Sequence, residues 1–394
     1  MHLISLRPWL TWCRRLGRAE GAAMTTRNVD RRTIAGIFLL SAALLEGCGG
    51  TGVVSYGTIS TLAGTGKQGY SGDGGSATAA LLGTPSCVVV DAAGNVFSAD
   101  SANHVVRKVS AAGTISTVAG TGTAGYAGDN GAATAAQLNS PNGCALDGAG
   151  NLYIADTGNN VVRKVANATG LITTVAGTGT AGFTGEGAPP ILAELNRPYG
   201  VALDSAGNLY ISDTKNQRVR KVSFTANTIV TLAGNGTFGY SGDGGSATAG
   251  QLYNPEGLLV TSAGDIIVAE EANSVVRKIS VATGNLSTLA GSSKYGFAGN
   301  GNAAAEALLQ GPTSVAMDTA GNLYISDAGN NEIRRVDTKG TIVAVVGNGT
   351  SGYGGDGKAA SAASMTRPRG VAVSAAGIMY IADTGNFVVR KVTP

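Results

Sequence analysis

The feature that most limits how this chain can fold is a unit of 56 or 57 residues that occurs six times. Each unit contains the phrase Val-Val-Arg-Lys-Val, or a close variant, and an upstream Gly-aromatic pair. The repeated arginines are Arg107, Arg163, Arg220, Arg277, Arg334 and Arg390, and the aromatic residues are Tyr70, Tyr126, Phe183, Tyr240, Phe297 and Tyr353. Because the units fill the chain from about Thr58 to its last residue, the fold must be a repeat architecture.

Each unit predicts four short β-strands. In the second unit we expect them at residues 143–147, 151–156, 161–166 and 171–176, with Gly150-Asn151 as a tight turn between the first two. Gly supplies 61 of the 394 residues and charged residues only 13%, which suits short strands joined by many turns. Four-stranded units repeated around an axis form a β-propeller, whereas the coils of a parallel β-helix are much shorter. The predicted fold class is all-β, a six-bladed β-propeller over residues 58–394.

The two ends of the repeat region predict how the ring closes. The chain stops at Pro394, just after the third strand of the sixth unit, so that unit lacks an outer strand. The segment Thr58–Ala63 matches residues 114–119, which are the outer strand of the first unit. We therefore expect Thr58–Ala63 to complete the last blade, which removes the open strand edges of an incomplete ring.

Residues 1–47 have the pattern of an export leader. Arg31 and Arg32 precede an apolar run, residues 33–45, that is shorter than the ~20 residues a membrane-spanning helix needs. A buried or membrane helix is the alternative interpretation. Met24 is a second possible start that would give a leader of ordinary length.

The end of the leader resembles a bacterial lipoprotein signal, with Leu45-x-Gly47-Cys48 in the position of the lipobox. The resemblance implies cleavage before Cys48, a lipid on its thiol and a short tether over residues 48–57. Glu46 departs from the small or apolar residue usual there, so ordinary secretion is the alternative. The expected location is the bacterial cell envelope, with the membrane reached only through the lipid.

Charge and glycine patterns argue against nucleic-acid and nucleotide partners. The leader holds seven of the basic residues, and the repeats that follow are nearly neutral, without the clustered basic surface that a nucleic-acid binder needs. The spacing Gly-x-Gly-x-x-Gly begins at Gly120 and recurs in most units. Dinucleotide binding also needs a long helix after the glycines, and no such helix is expected.

The repeats contain few residues suited to catalysis. Their one histidine, His104, is expected to be an exposed turn residue, and a three-histidine zinc site is impossible. No cofactor is predicted, although a metal site of carboxylates and amides stays open as an alternative. Cys87 and Cys144 are expected to be small buried side chains, with a disulfide between them as the less favoured alternative.

Two sets of acidic residues recur with the repeat. The first set ends the second strand of each unit and is predicted to form ion pairs or turn hydrogen bonds that stabilise the blade. Its members are Asp100, Asp156, Asp213, Glu270, Asp327 and Asp383. The second set lies in the Gly-rich loops and is predicted to cap the Ala-rich turn that follows; calcium, which takes 6–8 oxygen ligands, is the alternative. Its members are Asp73, Asp129, Glu186, Asp243 and Asp356, with Asn300 at the corresponding position.

The amino-acid sequences of the units resemble NHL repeats. The resemblance rests on residues 141–147, Pro-Asn-Gly-Cys-Ala-Leu-Asp, on residues 151–160, Asn-Leu-Tyr-Ile-Ala-Asp-Thr-Gly-Asn-Asn, and on the Val-Val-Arg-Lys-Val phrase. The long Gly-rich loops are similar to those of bacterial secreted and teneurin-like NHL propellers. The resemblance implies a six-bladed propeller that usually binds a partner and occasionally acts as a lyase or hydrolase.

A binding site is predicted where near-identical units differ. The residue after the proline at the start of each innermost strand, in a Pro-x-Gly pattern that has Cys87 or Ser314 in place of Gly in two units, is Ser86, Asn142, Tyr199, Glu256, Thr313 or Arg369. These residues should surround the mouth of the central channel, with Tyr199 and Arg369 facing each other. The alternative is that the position varies only because it is exposed. The predicted function is an exported, lipid-anchored module that binds a protein, peptide or glycan; the alternative is a gluconolactonase-like, metal-dependent hydrolase or lyase using the channel.

Overall fold

The structure, a computed structural model, describes residues 56–394, so Cys48 and almost all of the leader and tether lie outside the described residues. The strands are β1 Thr58–Ala63, β2 Val89–Val90, β3 Val96–Asp100, β4 Val105–Val109, β5 Ile115–Ala119, β6 Cys144–Leu146, β7 Leu152–Asp156, β8 Val161–Val165, β9 Ile172–Ala176, β10 Pro198–Leu203, β11 Leu209–Asp213, β12 Arg218–Ser223, β13 Thr228–Ala233, β14 Pro255–Val260, β15 Ile266–Glu270, β16 Val275–Ile279, β17 Leu286–Ala290, β18 Asn302–Ala303, β19 Pro312–Met317, β20 Leu323–Asp327, β21 Glu332–Val336, β22 Thr341–Val346, β23 Pro368–Val373, β24 Met379–Asp383 and β25 Val388–Thr393. Short 3₁₀ turns cover Ala77–Ala79, Ser101–Asn103, Ala133–Ala135, Thr157–Asn159, Pro190–Leu192, Thr214–Asn216, Ala304–Glu306, Ala328–Asn330, Ala360–Ala362 and Thr384–Asn386. Within residues 56–394 no helix is long and apolar enough to span a bilayer.

The strands form six antiparallel sheets, and each sheet is one blade. Blade 1 is β2–β5, blade 2 is β6–β9, blade 3 is β10–β13, blade 4 is β14–β17, blade 5 is β19–β22 with β18 at its edge, and blade 6 is β23–β25 with β1. The innermost strands contact one another in the order β2, β6, β10, β14, β19 and β23, and β23 contacts β2 again. The predicted six-bladed propeller is confirmed.

The predicted closure of the ring is also confirmed. Strand β1 pairs antiparallel with β25, and Thr58 lies opposite Thr393 while Ile59 lies opposite Val392. The side chain of Ile59 is fully buried. Residues from the beginning of the repeat region therefore complete the blade formed by its end.

The apolar core lies between neighbouring blades. Tyr153 and Ala155 of blade 2 pack with Val201 and Ile211 of blade 3, and equivalent clusters occur between other adjacent blades. A single blade leaves both of these apolar faces exposed. Burial of apolar surface is therefore complete only when the ring closes, which is the physical reason that six copies fold as one domain.

Each repeated arginine is fully buried and connects three parts of its blade. In blade 2, Nη2 of Arg163 lies 2.5 Å from the loop acid Asp129, and Nη1 lies 3.6 Å from the strand acid Asp156. The guanidinium also sits 5.3 Å from the ring centre of Tyr126. Corresponding strand acids pair with the arginines of blades 3 to 6. The predicted stabilising role of the strand acids is confirmed.

The prediction that the loop acids cap the short turns is wrong. In blade 1, Oδ1 of Asp73 accepts a hydrogen bond from Nη2 of Arg107 at 2.6 Å, and Oδ2 accepts one from the backbone N–H of Thr117. The turn that follows has no side-chain cap. Its first N–H, on Ala77, already donates to the backbone carbonyl of Gly113. The loop acid is therefore available to fasten the loop to the arginine.

The expectation that Cys87 and Cys144 are unpaired is also wrong, because they form a disulfide with a Cα–Cα distance of 6.1 Å. The position of Cys87 is Gly in four of the other units and Ser314 in the fifth, and a Cβ built at the equivalent Gly143 would point directly at the carbonyl of Tyr199 in the next blade. A side chain at this position is thus aimed at the neighbouring inner strand. Cys87 therefore reaches blade 2, where Cys144 lies.

We expect reduction of this disulfide to lower the free energy of unfolding by up to about 4 kcal/mol, because the bond closes a loop of 57 residues in the unfolded chain. Urea denaturation with and without reductant measures the difference. The matched control is the double variant Cys87→Gly with Cys144→Val, which introduces the residues of blade 3 and should not respond to reductant. Equal stability of the wild type in both conditions would contradict the prediction.

Candidate functional site

The six variable residues at the starts of the inner strands meet around the channel, as their spacing predicts. The side chains of Ser86, Asn142, Glu256 and Thr313 are buried, whereas those of Tyr199 and Arg369 are half-buried. Two cavities meet at this level. One is the channel itself, with a volume of about 330 Å³ and walls made by the six inner strands. The other, with a volume of about 430 Å³, opens at the mouth, and we call it the mouth cavity.

Tyr199 and Arg369 form a bridge across the ring, from blade 3 to blade 6. Nη1 of Arg369 donates to the hydroxyl of Tyr199 at 3.1 Å, and the guanidinium carbon lies 5.9 Å from the ring centre. Both residues line the channel and the mouth cavity. The bridge therefore separates the two spaces, and the predicted facing of these two residues is confirmed.

Two members of the set hold neighbouring blades together. The hydroxyl of Ser86 donates to the backbone carbonyl of Asn142 at 2.8 Å, and the hydroxyl of Thr313 donates to the carbonyl of Arg369 at the same distance. Their donors are thus occupied by the backbone of the next blade. These contacts assign Ser86 and Thr313 a structural role at the mouth.

Glu256 is the most unusual member of the set. Its side chain is only 8% exposed, and its Oε2 atom has no hydrogen-bond partner among the described residues. Burial raises the pKa of the Glu256 carboxyl to about 7; the charge of Arg369 opposes this effect and the charge of Glu271 adds to it. A carboxyl of this kind exchanges its proton near neutral pH.

A second group of residues at the mouth was not predicted from the sequence. Arg197 and Asn254 directly precede the prolines of blades 3 and 4, and Lys215 lies in the turn after β11; all three line the mouth cavity. Arg197 has a positive φ of 50°, an uncommon conformation for a residue before proline. The residue before proline also differs between units, as Thr84, Ser140, Arg197, Asn254, Gly311 and Arg367. That variation was the signal available in the sequence.

His104 lies in the predicted turn, but its side chain is half-buried, so the predicted exposure is wrong. Its Nδ1 atom accepts a hydrogen bond from the backbone N–H of Ser140, at the start of the next blade, at 3.0 Å. Asn160 makes the equivalent bond to the N–H of Arg197. The position therefore links adjacent blades, a role invisible in the sequence because the partner lies one blade away.

Known proteins contain repeats that are similar to those of this chain. The sequence model of the family described as "NHL repeat" matches residues 195–222. The protein SUPPRESSOR OF QUENCHING 1, chloroplastic, of Arabidopsis thaliana is 29% identical over 269 residues, which is 65% of this chain and 25% of that protein. NHL repeat-containing protein 2 of Bos taurus is 27% identical over 64% of this chain and 39% of its own length. Human Teneurin-1 is 26% identical over 61% of this chain and 10% of its own length.

This chain is a six-bladed β-propeller with NHL-like repeats. It spans well under half the length of the curated relatives that it matches. Three solved structures share its fold. A structural genomics protein of unknown function from Bacteroides thetaiotaomicron VPI-5482 has a TM-score of 0.63 at 19% identity, over 85% of this chain and 75% of that one. An auxiliary nutrient binding protein from the same organism has 0.61 at 15%, over 85% and 76%. A putative gluconolactonase has 0.53 at 11%, over 85% and 91%.

Proposed function

We propose that this NHL propeller is an exported binding module, and that its protein, peptide or glycan ligand enters the mouth cavity. The observation that supports this best is the cavity itself. It has a volume of about 430 Å³, within the range of small-ligand sites, and charged side chains from different blades converge on it. Arg369 and Tyr199 lie at its base, where it adjoins the channel, and Glu256 is part of its wall.

The hydrolase or lyase alternative has less support. Within residues 56–394, no three His, Cys, Asp or Glu side chains form a group that could hold a metal ion. The likeness to a gluconolactonase is 11% in identity and concerns the fold alone. Turnover of lactone or ester substrates with a stoichiometric divalent metal would support this alternative over the binding module.

The binding proposal predicts that Tyr199→Ala combined with Arg369→Ala lowers affinity for any bound ligand at least 10-fold, because both side chains form the base of the cavity. Arrays of glycans and peptides, probed with the labelled propeller, supply the measurement. The control is Lys164→Ala with Lys278→Ala, on the third strands of blades 2 and 4. If both double variants retain binding equally, the ligand binds elsewhere, and the Gly-rich loops would be the next region to test.

The proposal of export has two supports. The chain carries a leader-like segment, and the Cys87–Cys144 disulfide is a bond that persists in oxidising compartments such as the periplasm.

The register of β1 against β25 indicates how an anchored propeller would be oriented relative to the membrane. Thr58 lies at the end of β25 that is remote from the mouth, whereas Ala63 lies beside the end that adjoins it. A tether that ends at residue 57 would thus connect to the propeller on the face opposite the mouth. The mouth of an anchored propeller would then point away from the membrane.

The proposed anchor predicts that the mature protein begins at Cys48 and that this residue carries a lipid. Mass spectrometry of the N-terminal peptide from membrane fractions measures both properties. A Cys48→Ser variant should move the propeller into the soluble fraction without changing its melting temperature. A mature terminus at another residue, or an unmodified Cys48, contradicts the anchor but leaves secretion intact.

A further inference from the structure

The cations of the mouth cavity differ from the buried arginines of the blades, because Arg197 and Lys215 are exposed and Arg369 is half-buried. Each repeated blade arginine lies within 4 Å of a carboxylate. In contrast, Arg197, Lys215 and Arg369 line the mouth cavity, and none of the three forms an ion pair within residues 56–394. Glu256 is the one acidic residue among the described residues that line this cavity, so cations outnumber carboxylates there, and this excess of positive charge in a concave site favours an anionic ligand.

Most of the hydrogen-bond donors on these cations are also unused. In the part of the chain that the structure describes, Arg369 donates only to Tyr199, and the Lys215 ammonium donates only to Oδ1 of Asn254 at 3.2 Å. The Arg197 guanidinium donates to no described residue, since only its backbone N–H forms a hydrogen bond. Guanidinium groups bind planar carboxylates with two parallel bonds, so the free donors match this group well.

The other lining residues offer acceptors for hydroxyl groups. The hydroxyls of Ser101, Thr157 and Thr214 donate to carbonyls of the next blade, at 2.5 to 2.7 Å. Their hydrogens are therefore occupied, whereas each hydroxyl oxygen keeps a capacity to accept a hydrogen bond, and all three residues line the cavity. A ligand that satisfies them must itself carry several O–H donors. Among the described residues that line this cavity, Ala102 is the one aliphatic residue and Tyr199 the one aromatic residue.

We infer that the mouth cavity binds a sugar acid, with the ligand carboxylate held by Arg197, Lys215 and Arg369 and its hydroxyls held by the serine and threonine oxygens. The inference rests on the proposed binding function and narrows its ligand to an acidic glycan or its monosaccharide. Because Ala102 is the one aliphatic side chain among the described lining residues, the cavity suits this class better than a peptide with large aliphatic side chains.

Glu256 should make this binding depend on pH. Its carboxyl faces Arg369, Glu271, Lys215, Arg367 and Tyr199. When protonated, Glu256 can donate a hydrogen bond to the ligand carboxylate; when ionised, it repels that carboxylate. Because its pKa is raised to about 7, affinity for a sugar acid should fall as the pH rises from 5.5 to 8.5.

Calorimetric titration of the full propeller with galacturonate and glucuronate, against the neutral sugars galactose and glucose, tests the inference. We expect each acid to bind at least 10-fold more tightly than its neutral counterpart at pH 5.5. Arg197→Gln and Lys215→Gln should each remove most of that difference, whereas Lys164→Gln, on a third strand, should not. Glu256→Gln should keep binding and abolish its pH dependence.

The outcomes separate the inference from the proposed function. Equal binding of acidic and neutral sugars overturns the inference and leaves the mouth as a binding site. Binding of an acidic peptide at the mouth, with no sugar acid bound, also overturns it while the binding function stands. Failure of all four sugars overturns the inference, and the array experiment with the Tyr199 and Arg369 variants then decides the proposed function alone.

Discussion

Deletion of Thr58–Ala63 is expected to abolish the cooperative unfolding transition of the propeller near physiological temperature. The deletion removes the outer strand of blade 6 and exposes the full edge of β25. It also removes Ile59 and Ala63, which are buried in two different apolar clusters on either side of that blade. The loss of Ile59 alone should cost about 2–5 kcal/mol, a large part of the total stability of a typical domain.

Calorimetry and size-exclusion chromatography measure the effect, because the exposed edge should also promote association. If the deleted chain is recovered only in aggregates, the substitution Ile59→Ala provides a milder version of the same test. Its control is Ser60→Ala, at the neighbouring exposed position of the same strand. A deleted protein that is monomeric with an unchanged melting temperature would show that β1 does not close the ring.

The substitution Arg163→Met is expected to lower the free energy of unfolding by about 3–5 kcal/mol, because it leaves the buried carboxylate of Asp156 without its cation. It also removes the contact with Asp129 and the stacking on Tyr126. Urea denaturation supplies the measurement. The control is Lys164→Met, the next residue on the same strand, for which we expect less than about 1 kcal/mol.

The effect of Arg163→Met should shrink in acid. Burial raises the pKa of Asp156 to about 6, and Arg163 opposes this rise. Without the arginine the pKa rises further, so the folded variant binds a proton that the unfolded chain releases above about pH 4. Stability of the variant therefore falls as the pH increases, and its deficit should be larger at pH 8 than at pH 5. A deficit that does not change with pH, or that Asp156→Asn does not partly repair, would falsify the buried-charge explanation.

The sequence by itself determined the architecture, because the relevant information is local and repeated six times. The period of 56 or 57 residues, the Gly150-Asn151 turn and the match of Thr58–Ala63 to residues 114–119 predict the blades, their strand order and their closure. The predicted strands of the second unit differ from β6–β9 by at most one residue at each end. Comparison between units also identified the level of the channel at which Tyr199 and Arg369 meet.

Only the tertiary structure decided which side chains meet between blades. Cys87 bonds Cys144, His104 accepts from Ser140, and the loop acid Asp73 binds Arg107 instead of capping a turn. In each case the repeat gives the position of a residue but not the direction of its side chain relative to the next blade or loop. The partners are 34 to 57 residues apart in the chain, and they become neighbours only through the curvature of the closed ring. The same reason explains why the sequence did not place Arg197 and Lys215 at the mouth. The geometry of the ring, and not their spacing in the sequence, brings both residues to one cavity.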